Sequence, residues 1–169
     1  MLADIAQFEW ARGEAFDAPD ADHVDLEAIA NIPPASWPGL RFTLHPTVHR
    51  LQLAWNAPVI CKALASGSDT VQPQHTTAQW LLWRNPLDVY WRSLDPGEAA
   101  ALDAAAAGAS FAEICEGLLK WLDADAVVLQ AAGLLKRWAV DGLLAEVLQS
   151  PAICSSTGAE SGKGKKGSE

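Results

Sequence analysis

Two largely apolar runs separated by a short turn-forming segment in residues 79–94 predict a β-hairpin. Residues 80–84 and 89–94 are rich in aromatic and β-branched side chains, which favour strands. Residues 85–88, with the sequence Asn-Pro-Leu-Asp, lie between these runs and are typical of a turn. The two runs are therefore expected to pair as antiparallel strands joined by a short loop.

The spacing of apolar residues then changes to that of helices, and the first helix has a clear start. Asp95 can cap free backbone amides, and Pro96 suits the first helical position. Glu98 stands at the third helical position, where a carboxylate is favourable. The helix is expected to run to about Ala107 and to end at Gly108.

Two further helices follow. Ser110 and Glu113 have the spacing of a capping box and predict the start of the second helix. Asp123 or Asp125 is expected to cap the third, which should end near Asp141. The apolar positions at helical spacing are Phe111, Ile114, Cys115, Leu118 and Leu122 in the second helix, and Val127, Val128, Ala131, Leu134, Leu135 and Trp138 in the third.

The N-terminal segment is predicted to be a helix over residues 2–16 with apolar groups on two sides. Trp10 falls opposite the others, so it is either exposed or covered by a second neighbour. Residues 17–37 are rich in proline and acids and predict an acidic connector with a short helix at about 25–30. The side chains expected near the other side of the first helix are Met1, Ile5, Phe8 and Phe16.

Residues 41–51 form an extended, locally basic segment. Pro46 restricts this segment to an edge strand or an interrupted strand. A helix is expected from about Trp55 through Leu64, followed by a polar loop over residues 65–77. The basic groups of this region either receive an acidic peptide or balance the acidic connector, and we favour the second interpretation. These groups are Arg41, His45, His49, Arg50 and Lys62.

These elements predict an α+β fold with four parts. Residues 1–31 are a linking helix and acidic connector, and residues 32–78 are a small α/β unit. Residues 79–148 are a winged-helix-like domain, because a hairpin and three helices are its elements. Residues 149–169 contain mostly Gly, Ser and Lys towards their end and are expected to be a disordered tail.

Composition narrows the class of protein. Half of the 169 residues are hydrophobic, so the chain can bury a substantial core. No apolar run reaches the roughly 18 residues that span a bilayer, and the first residues lack the basic-then-apolar order of a signal peptide. We therefore expect a cytoplasmic protein without membrane partners.

Cys61, Cys115 and Cys154 are widely spaced and are expected to be reduced thiols.

The sequence contains no convincing catalytic or metal-binding constellation. His45 and His49 are four residues apart, but Pro46 between them favours an extended segment, where this spacing does not make a helical metal site. Cys115 lies in an apolar stripe and is expected to be an inert core thiol. No glycine-rich phosphate loop is present. We expect no catalytic residue, no metal site and no cofactor.

Charge argues against nucleic acid as a partner. The chain carries −9, and residues 79–148 have five basic and ten acidic side chains, or about −5. A domain that reads DNA normally has the opposite balance. Lys136 and Arg137 on the third helix are a small basic footprint. A DNA-binding winged-helix transcriptional regulator is the alternative function for this domain.

Several short motifs resemble the HvfC/BufC family of peptide-modification chaperones, formerly called a putative DNA-binding domain family. They are residues 2–11 (Leu-Ala-Asp-Ile-Ala-Gln-Phe-Glu-Trp-Ala), 44–46 (Leu-His-Pro), 80–84 (Trp-Leu-Leu-Trp-Arg) and 94–98 (Leu-Asp-Pro-Gly-Glu). The resemblance implies a non-catalytic partner of a multinuclear non-haem iron oxidative enzyme that modifies cysteines in a ribosomally made precursor peptide. The partner protein brings the leader segment of this peptide to the enzyme.

The resemblance also implies where the peptide binds. A leader would add as a strand to the edge at residues 89–94, with the third helix as a wall. Tyr90 and Trp91 point to opposite faces, so only one of them can line such a groove. The other interpretation is that the hairpin is covered by the rest of the chain. The expected peptide-binding residues are Val89, Tyr90, Trp91, Arg92, Leu94, Leu134, Lys136 and Arg137.

A separate surface is expected to contact the enzyme partner. Members of the family that the chain resembles begin with an additional helical domain, and Met1 stands where that domain would end. We therefore expect a fragment or an internal start, and the absent domain would cover Trp10. The expected partner-interface residues are Trp10, Arg41, His45, His49 and Arg50.

Overall fold

The structure is a computed structural model that describes residues 1–68 and 71–149. The described residues form a mixed α+β fold in which the N-terminal helix precedes two small antiparallel sheets. The helices are α1 (Leu2–Asp17), α2 (Leu26–Ala30), α3 (Ala57–Ala65), α4 (Pro96–Ala106), α5 (Phe111–Leu118) and α6 (Ala124–Asp141), with a 3-10 turn at Pro34–Gly39. The strands are β1 (Leu40–Leu44), β2 (His49–Trp55), β3 (His75–Arg84), β4 (Val89–Leu94) and β5 (Leu144–Gln149).

The larger sheet has three antiparallel strands in the order β2-β3-β4. The predicted hairpin is confirmed: β3 and β4 pair from Arg84↔Val89 to Gln79↔Leu94. β3 begins earlier than the sequence pattern indicates, because His75 pairs with Trp55 on β2. The prediction of a loop over residues 65–77 is therefore wrong at its end.

The smaller sheet pairs β1 with β5. The extended segment at residues 41–51 is interrupted, as Pro46 predicts, and its two halves join different sheets. β5 was not expected from the sequence. Its partner lies about a hundred residues earlier, with Leu40 opposite Gln149 and Phe42 opposite Val147.

The predicted starts of the first two helices after the hairpin are confirmed by their caps, whereas α6 follows Asp123, whose side chain makes no capping hydrogen bond. The Asp95 side chain accepts a hydrogen bond from the Glu98 amide, and both halves of the Ser110/Glu113 capping box are present. α5 ends at Leu118, one turn before the predicted end. Gly142 ends α6 with a φ of +74°, a left-handed conformation that glycine adopts readily.

The core consists of two apolar clusters, one on each face of the larger sheet. The first packs Leu81, Trp83 and Leu94 against α4, α5 and α6, with Trp138 fully buried. The second packs Leu82 against α1, β2 and α3. Since β2 pairs with β3 and the first cluster contains residues from Ile29 to Leu144, the contacts cross the predicted boundary at residues 78/79. The division into domains stays a prediction.

The buried face of α1 differs from the predicted one. Phe8, Ala11 and Ala15 are buried, whereas Met1 and Phe16 are exposed. Trp10 is 72% exposed. No helix in the described ranges is long and apolar enough to cross a bilayer. Residues 150–169 of the predicted tail lie outside the described residues.

Candidate functional site

The outer edge of β4 is open. β4 is the last strand of its sheet and pairs with β3 alone. Asn85 and Asp88 form a hydrogen-bonded pair at the turn, since the Asn85 amide donates to the Asp88 carbonyl over 2.9 Å. Hydrogen-bonded and non-hydrogen-bonded pairs alternate along an antiparallel ladder. The backbone groups of Val89, Trp91 and Ser93 therefore point away from β3, and none of them has a backbone partner among the described residues.

The opposite edge of the sheet, on β2, is partly closed by α1. The Asp4 carboxylate accepts hydrogen bonds from the Ala54 amide at 2.6 Å and from the Trp55 amide at 2.9 Å. A carboxylate in this position satisfies two donors that would otherwise be free to pair with another strand. The two edges of the sheet therefore differ: Asp4 occupies two backbone donors on β2, whereas the outward backbone groups of β4 are unpaired among the described residues.

The two aromatic side chains of β4 lie on opposite faces, as expected. Trp91 packs edge-on against Phe8, with ring centroids 5.5 Å apart, and lies 5.3 Å from the guanidinium of Arg12. Tyr90 is 46% exposed and stacks on Trp83, with centroids 5.8 Å apart. Of the two, Tyr90 is the side chain that an added peptide strand can contact, while Trp91 supports the sheet.

Arg92 belongs to a buried ion-pair network. It donates two hydrogen bonds to Glu98, at 2.7 and 2.6 Å, and lies 3.5 Å from Asp141. Trp138 Nε1 also donates to Glu98, whose side chain is 1% exposed. Burial opposes ionisation of Glu98, but the hydrogen bonds from Arg92 and Trp138 outweigh it and hold the pKa of Glu98 below its usual value. Arg92 is therefore held by contacts within the chain, and its contact with a peptide stays a prediction.

This network joins β4 to the C-terminal end of α6. The Asn85 side chain adds a hydrogen bond to the Asp141 carbonyl at 3.2 Å. The pairing of Glu98 and Asp141 with Arg92 was not predicted from the sequence. The sequence shows only that Glu98 is an acid in a largely apolar helix and that Asp141 is an acid at a helix end. Neither position indicates which basic residue the acid pairs with.

The other predicted peptide-binding residues divide by exposure. Leu94 is buried and Leu134 packs against the larger core. Their contact with a peptide stays a prediction. Val89 is partly buried at the open edge, and Lys136 is exposed. Arg137 is exposed and lies 3.8 Å from Asp141. Val128, expected on the buried face of α6, is exposed, as are Leu129 and Val140.

The predicted partner-interface arginines are engaged within the chain. Arg41 donates to the Gly108 carbonyl and lies 3.9 Å from Glu113. Arg50 forms an ion pair with Asp103 and a 3.4 Å hydrogen bond to the Ala99 carbonyl. Both arginines thus pair with α4 and α5 and not with the acidic connector. Trp10 alone of the five predicted interface residues is largely exposed.

His45 is buried, and both of its ring nitrogens form hydrogen bonds within the chain. The Thr47 amide donates to His45 Nδ1 at 3.3 Å, which assigns the ring proton to Nε2, and Nε2–H donates to the Ala21 carbonyl at 3.2 Å. The His23 ring stacks on His45 with centroids 4.4 Å apart. Burial is the main cause that lowers the pKa of His45. His45 is therefore buried within the chain, and its contact with a partner stays a prediction.

His49 and the cysteines do not form a reactive site. His49 is partly buried, and its Nε2 has no hydrogen-bond partner among the described residues. Burial and then the nearby Glu9 raise the pKa of Cys61 to about 11, and burial raises the pKa of Cys115. Among the described residues no three His, Cys, Asp or Glu side chains are placed to hold a metal ion. Cys154 lies outside the described residues.

Comparison with known proteins gives the chain no assignment. No protein family, curated protein or solved structure matches it. The resemblance to the HvfC/BufC family stays an interpretation of short motifs. The candidate site is therefore defined by its geometry: an open strand edge beside the exposed Tyr90 and the end of α6.

Proposed function

We propose that this chain is a non-catalytic partner protein that binds the leader segment of a precursor peptide and presents the peptide to a multinuclear non-haem iron oxidative enzyme, which modifies cysteines in it. The open outer edge of β4 is the observation that carries the proposal. An extended peptide can add a strand there, since main-chain hydrogen bonds give affinity and alternate side chains give register.

The hairpin and the three helices after it are assigned, as part of this proposal, to a winged-helix peptide-recognition unit. The support is their order, β3, β4, α4, α5 and α6, together with the contact between β4 and the end of α6. In this arrangement the added strand lies along β4. Its side chains on one face approach Tyr90 and the exposed end of α6.

The edge is held rigidly, which favours binding. Arg92, Glu98 and Trp138 fix β4 to α4 and α6 through hydrogen bonds of 2.6 to 2.9 Å. Three outward positions on β4 can each contribute hydrogen bonds worth about 0.5–1.5 kcal/mol. A preorganised edge loses little conformational freedom on binding, so more of that energy appears as affinity.

The pairing of cations favours a peptide over DNA. Arg84 and Arg92 in the hairpin are paired with Asp20 and with Glu98, and Arg137 on α6 is close to Asp141. These cations are largely neutralised within the chain, so few remain for phosphate contacts. A gel-shift experiment with duplex DNA at low salt measures DNA binding directly, and we expect no shift.

The proposal is tested by co-expressing the full chain with an iron enzyme and a cysteine-containing precursor encoded beside it. Ser93→Pro removes an outward amide without removing a hydrogen bond to β3, and Ser93→Ala is the matched control. We expect omission of the chain to reduce cysteine modification, measured as the mass shift of the precursor. Ser93→Pro should weaken peptide binding by about tenfold, equivalent to one strong hydrogen bond, while Ser93→Ala behaves as wild type.

The proposal is wrong if modification is unchanged when the chain is omitted and neither enzyme nor precursor co-purifies with it. Circular dichroism and urea unfolding of Ser93→Pro show whether the variant is folded. A folded Ser93→Pro that binds the precursor like wild type would exclude the β4 edge as the binding site.

A further inference from the structure

A groove runs beside the open edge of β4 on the face that α1 covers. It has a volume of about 450 Å³. Its walls include Arg12, Phe16 and Asp17 from α1, and Leu87, Asp88 and Val89 from the hairpin turn and the start of β4. Because Val89 is also an outward-pointing position, the groove and the strand edge are continuous.

Two large apolar side chains line the groove, Phe16 on α1 and Leu87 in the hairpin turn. Phe16 is 55% exposed and Leu87 is 79% exposed. Exposure of two large apolar side chains at one concavity is more than the scattered single residues that a protein surface normally shows. These walls can cover the aliphatic part of a bound side chain.

The rim of the groove is negatively charged. Asp17 and Asp88 have no ion-pair partner among the described residues. Arg12 is already paired with Glu9, with N–O distances of 3.0 and 3.1 Å, and lies over the Trp91 ring. The groove therefore has two carboxylates whose charge is not balanced within the described part of the chain.

The geometry of strand addition decides which peptide side chains enter the groove. Side chains of an added strand alternate between the two faces of the sheet. Those on the α1 side, opposite Val89, point into the groove, whereas their neighbours point towards Tyr90. One position of the peptide is therefore selected by the groove.

We infer that this groove selects a lysine or arginine side chain of an extended peptide bound on β4. Such a side chain has an aliphatic stem for Phe16 and Leu87 and a positive charge for Asp17 and Asp88. An acidic side chain would be repelled. A second copy of this chain is a poor occupant, since each copy carries −9. The inference rests on the proposed function and adds the chemistry of the recognised segment.

The test uses random twelve-residue peptides displayed on phage and selected on the immobilised full chain. Peptides that lose binding to Ser93→Pro are kept as edge-binding peptides. We expect these to be enriched in Lys or Arg at one position. Two exposed ion pairs correspond to about a threefold to tenfold change in affinity, so Asp17→Asn with Asp88→Asn should weaken the selected peptides by that factor.

The matched control removes the same charge elsewhere. Glu14 and Glu116 are exposed, and neither has an ion-pair partner among the described residues. Glu14→Gln with Glu116→Gln therefore changes the net charge by the same amount without altering the groove. Its binding of the selected peptides should be that of wild type. Asp17→Lys with Asp88→Lys should change the enriched residue to Asp or Glu.

The outcomes separate this inference from the proposed function. If no peptide depends on Ser93, strand addition itself is overturned, and the inference with it. If edge-binding peptides are found but Lys and Arg are not enriched, only the role of the groove is overturned. The same follows if the enrichment persists in the variant that lacks Asp17 and Asp88, or if the Glu14 and Glu116 variant weakens binding equally.

Discussion

Arg92 illustrates what one residue can show only in its folded context. In sequence it is a cation on the strand that is expected to bind peptide. In the structure Glu98 and Asp141 enclose it. Glu98 is six residues further along, in α4, and Asp141 is on α6. A pattern of polar and apolar positions cannot pair groups on three elements, because their approach depends on how the elements pack.

Replacing Glu98 tests the structural role of this network. Glu98→Gln removes the carboxylate that accepts two hydrogen bonds from Arg92 in a mostly buried place and leaves Asp141 as the remaining carboxylate beside it. We expect a loss of roughly 3–5 kcal/mol in the free energy of unfolding, the usual cost of breaking a buried ion pair. Urea unfolding measures it, with Glu116→Gln as the exposed control. A loss below about 0.5 kcal/mol, the size of ordinary surface effects, would show that the network contributes little.

His45 makes stability sensitive to acid. Its folded pKa is lowered, so the neutral form is favoured in the folded state and the stabilisation is present above the unfolded value of 6.5. This stabilisation is lost as the pH falls from 6.5 through the pKa of His45 in the folded state. Protonation would place a proton on Nδ1, which accepts from the Thr47 amide. It would also place a positive charge in a buried site near His23 and Arg84, while the hydrogen bond to the Ala21 carbonyl and the charge of Asp20 favour the protonated form.

Urea unfolding between pH 7.5 and 5 tests this account. The wild type should lose stability across the range. His45→Asn should be less stable at pH 7.5 and should show a shallower dependence on pH, because the titrating ring is gone. His75→Asn, which removes an exposed imidazole, is the control for the loss of a surface histidine. Equal slopes for wild type and His45→Asn would contradict a role for His45.

At the scale of elements, the sequence was sufficient to predict a helix start or a turn where the residues that form the cap or the turn are close together in the chain. Asp95 with Glu98, Ser110 with Glu113, and the turn at Asn85 predicted the hairpin and the helix starts. β5 could not be predicted in the same way. Its segment, Leu144–Gln149, becomes a strand by pairing with β1, which is remote in sequence.

The two glycines of α6 have opposite roles that substitution can distinguish. A Cβ at Gly133 would meet nothing within 4 Å, whereas Gly142 has a φ of +74° and His23 within 3.2 Å of the same position. We expect Gly133→Ala to raise the free energy of unfolding by about 0.5–1 kcal/mol, since alanine favours helices. Gly142→Ala should lower it by about 1 kcal/mol or more, through strain at the positive φ.

Thermal or urea unfolding of the two variants checks this prediction. Peptide binding gives a second measurement for Gly133→Ala, which should bind like wild type because a methyl group there lies on the outer face of α6. A destabilised Gly133→Ala would mean that this face of α6 is covered in solution.

At the scale of the whole molecule, sequence reasoning identified the region of the candidate site but not which of its residues face outwards. The hairpin contacts the end of α6 through Arg92 and Asn85. Val89, Tyr90, Lys136 and Arg137 lie at the surface or edge, and their contact with a peptide stays a prediction. The sheet is covered on both faces by the two apolar clusters. Burial of this kind is decided by packing across the whole chain, so the groove between α1 and the hairpin was also not foreseen.

Amide hydrogen exchange of the full chain, with and without its precursor peptide, tests strand addition to β4 most directly. The amides of Val89, Trp91 and Ser93 point outwards, while those of Tyr90 and Arg92 are in the ladder with β3. Strand addition predicts that the precursor slows exchange at the three outward amides by about tenfold or more and leaves Tyr90 and Arg92 unchanged. Equal exchange at all five amides with a bound precursor, or protection confined to α6, would contradict it.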